Sequence, residues 1–478
     1  MATPAQTPPL CVDLDGTLIK TDLLIESFFL LLGKHPLLVL LVPFWLLRGK
    51  AHLKQELARR VALDTATLPY HPLFLPWLRE QHAHGRVLVL ATAAAEPLAH
   101  QVAEYLQLFS QTLATTNSTN LSGQTKAEQL SQRFGERGFD YAGNDRADLA
   151  VWKRARQAIL VNPARGVHEQ AARTAEIAAE FDDRQGEGLK PWLRALRLHQ
   201  WLKNILIFVP LLAAHRLLET PLLLQAALAY LAFGLCASSV YLLNDLLDLP
   251  ADRRHPRKRL RPFAAGTIPI LAGALAVPTL LTLAFTLAAI ALPAPFFGVL
   301  LSYYALTLAY SLYLKQSVML DAVVLAALYT LRIIAGAAAT AIVPTFWLLA
   351  FSMFIFLSLA LVKRYAELLA LQELGQSAAQ GRGYRVDDLQ LLQTLGGASG
   401  YLSVLVLALY INSSASQTLY RHPEAIWLLC PLLLYWISRI WLKTHRGEMH
   451  DDPVIFAVQD RVSQILTLIG AIIVGLAL

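Results

Sequence analysis

The chain has 478 residues, 55% of them hydrophobic and 16% charged, with a mean hydropathy of +0.45. A soluble domain carries about 25% charged residues, so composition excludes a wholly soluble enzyme. Lys plus Arg exceed Asp plus Glu by 41 to 34, a net charge of +7 with His neutral; on a membrane protein such a surplus marks the inner loops. Cys11, Cys236 and Cys430 are scattered, which spells neither a disulfide framework nor a zinc site. No basic segment leads into an apolar run and a small-residue cleavage site, so no cleavable signal peptide is expected.

In chain order, the first informative segment is Val12-Asp13-Leu14-Asp15-Gly16-Thr17-Leu18, after a short strand. Two carboxylates at i and i+2 beyond a strand end converge on one small site. One can attack phosphorus while the other handles the leaving-group proton. Residues 23–48 are apolar in two runs of about ten residues, each too short to span a bilayer. They read either as a helical cap packed on the catalytic domain or as an interfacial hairpin that admits a lipid phosphate. A strand over 86–92 ends in the hydroxyl of Thr92, Gly123-Gln124-Thr125-Lys126 supplies a lysine for a phosphoryl group, and Asp140–Leu149 supplies oxygen ligands suited to Mg2+. Strands alternating with helical stretches predict a parallel α/β sheet with active loops at the strand carboxyl ends.

This order and spacing resembles the phosphoserine-phosphatase-like branch of the haloacid dehalogenase superfamily over residues 8–180. The resemblance implies a Rossmann-like α/β fold with a helical cap at about 23–80. It implies Asp13 as nucleophile, Asp15 as general acid/base, and Thr92 and Lys126 as phosphate binders. One Mg2+ would sit among Asp13, Asp15, Asn144, Asp145 and Asp148. Asn144 stands where the family usually has an Asp; its amide oxygen still binds Mg2+, at the loss of one negative charge that Asp145 can supply.

Composition changes near residue 190. The polar stretch 179–188 reads as a linker between a domain at 1–189 and a membrane domain at 190–478. Nine spans are expected, at 199–218, 222–243, 268–291, 296–314, 321–341, 345–362, 398–413, 424–442 and 461–478. With the linker inside, the inner loops hold nearly all the cations, Arg382 among them, whereas the outer loops hold only Arg216 and Arg421. The expected location is therefore a bacterial-type inner (plasma) membrane, with the N-terminal domain and active-site loops cytoplasmic.

At the inner end of the second span, Asn244-Asp245-x-x-Asp248-x-x-x-Asp252 places three carboxylates at i, i+3 and i+7, one helical face. Such a trio repels itself unless cations intervene, and Mg2+ with a bound diphosphate is the natural resolution. The run that follows, with Arg253, Arg257, Lys258 and Arg261, matches phosphate oxygens. This pattern resembles the UbiA superfamily of intramembrane transferases, an all-α bundle of about nine transmembrane helices. Within it, three features resemble the decaprenyl-phosphate phosphoribosyltransferases: the 196–204 segment with Arg197, Gln200, Lys203 and Asn204; the extended 252–266 run; and Val362–Leu368, with Lys363, Arg364 and Glu367. Aromatic prenyltransferases usually carry a second Asp-rich motif in that last place. Two cations there suit an anionic acceptor.

The resemblance therefore implies Mg2+-dependent transfer of 5-phosphoribosyl from 5-phosphoribosyl diphosphate (PRPP) to a polyprenyl phosphate in the bilayer, with one or more Mg2+ in the membrane site. The N-terminal domain would remove the 5-phosphate from the product. Asp245, Asp248 and Asp252 are expected to hold the metal, and Tyr310, Lys315 and Asp321 to be secondary substrate contacts. Arg332, deep in the fifth span, faces a cavity or pairs with an acid such as Asp321. Nucleic acid is not an expected partner; an oligomer is allowed for. The alternatives are a UbiA-type prenyltransferase with an aromatic or lipid acceptor, and a transporter carrying a non-catalytic N-terminal scaffold.

Overall fold

The computed structural model describes residues 7–117, 119–184, 188–375, 377, 383–449 and 452–478. Residues 185–187 of the expected linker and Arg382 lie outside them. The chain divides into two compact units, Met1–Leu196 with Tyr241–Val277, and Arg197–Val240 with Pro278–Leu478.

The first unit is built on six strands: β1 (Leu10–Val12), β2 (Leu88–Ala95), β3 (Gln111–Thr115), β4 (Asp140–Gly143), β5 (Gln157–Val161) and β6 (Glu176–Phe181). They form one parallel sheet in the order β3-β2-β1-β4-β5-β6. The inner strands are apolar on both faces because helices cover both. One face packs Leu10, Val12, Leu90 and Ile159 with the helices before β2 and after it; the other packs Cys11, Val89, Tyr141 and Leu160 against Trp152 and Ala127. The chain leaves β1 for β2 and β3, then returns to β4 on the other side. This reversal opens a crevice at the carboxyl ends of β1 and β4, where Asp13 and Asn144 follow the strands. The last three residues of strand β6, 179–181, fall in the stretch that composition assigns to the linker: Glu176-Ile177-Ala178-Ala179-Glu180-Phe181 alternates exposed and half-buried, as an edge strand does.

A helical insertion separates β1 from β2, comprising Leu23–Lys34, Pro36–Leu41, Val42–Leu47, Lys50–Ala58 and Phe74–Ala83. Asp22 caps the first helix, its carboxylate accepting from the Leu24 and Ile25 amides. A small core of Leu30, Leu31, Trp45, Leu53 and Leu57 holds the insertion together. The same unit includes the end of helix Thr220–Leu247, the short helix Leu249–Arg254, and the loop into helix Ile270–Ala291. Pro250 in the first turn of the short helix restarts the chain after Asp248. Gly266 has a φ of +70°, and any Cβ there would lie 2.7 Å from the Lys20 carbonyl oxygen, so this loop approaches the β1 loop backbone to backbone.

The second unit is helical. Among the described residues of the whole chain, seven helices are long and apolar enough to cross a bilayer, or eight if Pro453–Gln459 and Arg461–Ala477, bent by 77°, form one span. The multi-pass membrane character is thus plain, whereas the expected first span at 199–218 is a shorter apolar helix, Leu198–Ala213. It runs as a 3-10 segment Leu198–Phe208 followed by Val209–Ala213. Pro210 sits in the first turn of the α stretch, where no donor is needed, and Lys203 and Asn204 are buried in the segment. The expected 398–413 span is the middle and end of a longer helix, Leu389–Ile411. Small residues let these helices meet closely: Gly396 lies against the Trp441 ring, and Ser358 joins the Trp441 indole to the Gly396 carbonyl at 3.1 and 2.7 Å.

Candidate active sites

The crevice of the first unit is a cavity of about 700 Å3. Asp13 lies on its floor, and Lys126 Nζ donates to Asp13 Oδ1 at 2.8 Å and to the Tyr141 hydroxyl at 2.8 Å. Tyr141 donates in turn to Asp148 Oδ1 at 2.7 Å, and Asp148 Oδ2 accepts the Asn144 and Asp145 amides, each at 3.0 Å. Asp148 therefore shapes the loop after β4 with both oxygens. Asp15 accepts the Leu23 amide at 2.9 Å, which ties the second carboxylate of the motif to the first helix of the insertion. Gly16 has a φ of +75°, and a Cβ on it would fall 2.3 Å from Asn144 Nδ2. Asn144 Oδ1 accepts from Thr17 Oγ1 at 3.2 Å, and Asp145, exposed at the rim, caps the following turn.

Burial pushes Asp13 up to about 6, with Lys126 pulling the other way. Burial, then the Asp22 charge, raises Asp15 well above the usual carboxylate range. Asp13 and Lys126 form a close pair, and the two opposing carboxylates hold the Lys126 ammonium above its ordinary value against the effect of burial. Asp13, the half-buried Asp15 and the Asn144 side-chain oxygen all line the cavity and make an all-oxygen donor set, which fits a hard divalent cation. Thr92 is fully buried and its hydroxyl accepts the Ala94 amide, so the cavity wall beside it is Ala93–Ala95. A residue without a motif stands there instead: Lys54, from the insertion, donates to the Ala93 carbonyl at 2.7 Å and to Asn120 Oδ1 at 2.9 Å. Burial lowers its ammonium pKa.

At the end of helix Thr220–Leu247, Asp245 and Asp252 are buried and turn toward one point. Arg261 NH1 lies 3.2 Å from Asp245 Oδ1 and 2.6 Å from Asp252 Oδ2. Asp248 and Asn244 are half-buried beside them. Burial raises Asp252 above the usual carboxylate range even with Arg261 in contact. Two carboxylates sharing one cationic nitrogen mark where positive charge is wanted, and their oxygens suit Mg2+. Among the described residues, no three His, Cys, Asp or Glu side chains are gathered closely enough to hold an ion by themselves. Arg257 and Lys258 are exposed. Arg253, expected to face phosphate, is buried: it forms a two-pronged pair with Glu26 at 2.6 and 3.1 Å, and Thr21 donates to the same carboxylate at 2.9 Å.

In the second unit, Lys203 and Lys363 converge on Asp452 Oδ2 at 2.6 and 3.3 Å, and the Tyr329 hydroxyl lies 3.1 Å from Asp452 Oδ1. Burial alone would raise the Asp452 carboxyl, but the two lysines outweigh it and hold the pKa well below the usual range. Arg332 rests on Asn204 Oδ1 at 3.0 Å and the Tyr303 hydroxyl at 3.2 Å, over the rings of Phe233, Tyr303 and Tyr329. Asn204 Nδ2 is buried without a hydrogen-bond partner among the described residues. Arg364, by contrast, is 1% exposed. It is paired with Asp321 at 2.6 Å, with Glu367, and with the Tyr310 hydroxyl at 3.0 Å, while Tyr384 donates to Asp321. Its guanidinium is committed to holding the helices Leu320–Thr340 and Phe346–Glu373 together. Arg197 has a φ of +51° before the 3-10 segment and is half-buried, as are Gln200 and Lys315.

Residues 205–458 match the UbiA prenyltransferase family, more than half of the chain. The chain belongs to this family. This UbiA-family chain is 37% identical over 467 residues to protein y4nM of Sinorhizobium fredii, covering 97% of the chain and 89% of that protein. It is 31% identical over 297 residues to decaprenyl-phosphate phosphoribosyltransferase of Mycolicibacterium smegmatis, covering 60% of the chain and 92% of the relative. Among solved structures, a UbiA homologue from Archaeoglobus fulgidus bound to GPP and Mg2+ aligns with a TM-score of 0.46 and 17% identity, over 60% of the chain and 99% of that structure. For a UbiA-family chain, the residues missed by motif reading are Asp452 and Tyr329. Their partners lie 249 and 123 residues away in sequence, and no local spacing announces them. The signal available was the isolated Asp451-Asp452-Pro453 before the last apolar run.

Proposed function

We propose that the membrane domain transfers 5-phosphoribosyl from PRPP to a polyprenyl phosphate and that the N-terminal domain then removes the 5-phosphate. The observation that carries the first half is the Lys203–Asp452–Lys363 group. Two ammonium groups share one carboxylate, so the group keeps a net positive charge suited to a phosphate acceptor. The relative named decaprenyl-phosphate phosphoribosyltransferase supports the same choice. Asp245, Asp248 and Asp252 would hold a Mg2+ that neutralises the diphosphate end of PRPP, Arg257, Lys258 and Arg261 bind its phosphate oxygens, and an oxygen of the lipid phosphate attacks the anomeric carbon as the diphosphate leaves. That nucleophile is already ionised and needs no general base. In both domains a bound Mg2+ supplies positive charge against phosphate oxygens.

In the N-terminal domain, an Asp13 oxygen attacks the phosphorus while the ester oxygen leaves with a proton from Asp15. Water, deprotonated by Asp15, then releases inorganic phosphate from Asp13. Lys126 and Lys54 bind the phosphoryl oxygens. The order of domains supports this coupling, since the product of the first reaction carries a phosphate monoester. The test is mass spectrometry of lipid formed from labelled PRPP and polyprenyl phosphate. Wild type is expected to yield ribosyl lipid and Asp13→Asn its 5-phosphate. If both stop at the phosphorylated lipid, the coupling is wrong; if no label enters lipid, the transfer is wrong.

The family's description favours a second reading, in which a prenyl group moves from a prenyl diphosphate to an aromatic or lipid acceptor. Labelled prenyl diphosphate in place of PRPP separates the two.

A further inference from the structure

Between Lys34 and Arg48 the insertion carries twelve consecutive residues without charge, Pro36–Leu47. At this length the segment does not cross a hydrocarbon core of about 30 Å. Its inner side, with Leu38, Val39, Val42 and Trp45, packs on the small core of the insertion. Its outer side carries Leu37, Leu40, Phe44 and Leu47, which are 79%, 70%, 64% and 84% exposed. Their spacing of three, four and three residues puts all four on one helical face. Single exposed leucines are ordinary; an uninterrupted apolar face of four large side chains marks an interaction surface.

Its neighbours within the unit identify what covers that face. Gly33, just before the segment, sits against Leu247, the last residue of a membrane-crossing helix; a methyl on Gly33 would lie 3.8 Å from the Leu247 side chain. The apolar face thus begins where a span reaches the bilayer surface. Lys34, His35, Arg48 and Lys50 flank it, as cations flank segments that lie among lipid phosphates. The phosphatase-like cavity is bounded by the same parts. Leu46 of this segment and Ile270 and Leu271, the first residues of another membrane-crossing helix, line it with Leu53 and Leu57, above a floor of Asp13, Asp15 and Lys126. Apolar walls over a phosphate-binding floor suit an amphiphile.

We propose that Pro36–Leu47 lies in the bilayer surface and that the cavity beside it takes phosphate monoesters whose other end stays in the membrane. The substrate class rests on the phosphatase reading above; the membrane contact does not. The test uses the full chain in phosphatidylcholine vesicles. A fluorophore sensitive to polarity, attached at Leu40→Cys, is expected to emit as in an apolar medium and to be quenched by lipids brominated on their acyl chains. The three native cysteines are buried. Hydrolysis of hexadecyl phosphate in the vesicles is expected to fall at least tenfold in Leu37→Glu/Phe44→Glu, with soluble p-nitrophenyl phosphate hydrolysed within twofold of wild type, which also reports intact folding. A label with water-like emission overturns the membrane contact. A shielded label that brominated lipid does not quench assigns the face to a protein partner and overturns it too. Equal rates on both substrates, or equal losses, overturn the lipid substrate class. If wild type hydrolyses neither ester, the phosphatase reading fails while the label still decides the membrane contact.

Discussion

Replacing Lys363 with Met tests the proposed acceptor site most directly. Lys363 lies 3.3 Å from Asp452 and is 33% exposed. At an effective dielectric near 20, two unit charges at that separation interact by about 5 kcal/mol before solvent screening. Screening of a side chain this exposed brings the usable figure to about 1 kcal/mol. Lys203, Lys363 and Asp452 together carry one net positive charge, and Lys363→Met removes it. A loss of about 1 kcal/mol toward a phosphate acceptor corresponds to roughly a fivefold rise in KM. The assay is transfer of labelled phosphoribosyl into lipid, with polyprenyl phosphate and PRPP varied in turn. The rise is expected for the lipid and not for PRPP. Lys203→Met provides the contrast. Its pair with Asp452 is 2.6 Å long and its side chain is 10% exposed, so a buried charge loses its main partner. The expected cost is about 3–5 kcal/mol of stability, seen as a lower Tm. If Lys363→Met leaves the KM for polyprenyl phosphate unchanged, the acceptor phosphate does not meet this group.

Further outcomes are expected elsewhere. Gly16→Ala meets both a left-handed backbone and the Asn144 amide, so it should abolish phosphate release while transfer from PRPP continues, as read by product mass. Glu26→Gln strands the buried Arg253 guanidinium and should destabilise the first unit by about 3 kcal/mol or more, measured as protease susceptibility of residues 23–83. Asp252→Asn should lower PRPP-dependent transfer by about tenfold or more and leave hydrolysis of p-nitrophenyl phosphate unchanged. Chelation of Mg2+ should stop both reactions, and readdition should restore both.

The parts legible in sequence were those encoded locally. The Asp13–Gly16 turn follows its strand directly, and Asp245 and Asp252 meet because backbone bonds from Asp248 to Asn244 and from Asp252 to Asp248 carry helical spacing across the junction of two helices. Contacts made across the fold were not legible. Arg332 and Asp321 share a helix and invited pairing, yet eleven residues separate them by about 16 Å along the axis. Asp321 is met instead by Arg364 from the next helix. The 3-10 form of the first apolar run was hidden because an apolar run does not distinguish a 3-10 segment from an α-helix. Thr92 carried the expected hydroxyl, but its direction, inward to the Ala94 amide, depends on the bulge where β2 shifts register against β3.

The Glu26–Arg253 and Asp64–Arg254 pairs stitch the insertion to a turn encoded some two hundred residues later. A fragment ending at residue 189 would keep both acids and lose both bases, and it would uncover the face of the insertion where Arg253 now meets Glu26. Cutting this protein at its compositional seam would therefore remove partners that the insertion uses, and the two proposed activities are best separated by point substitution within an uncut polypeptide.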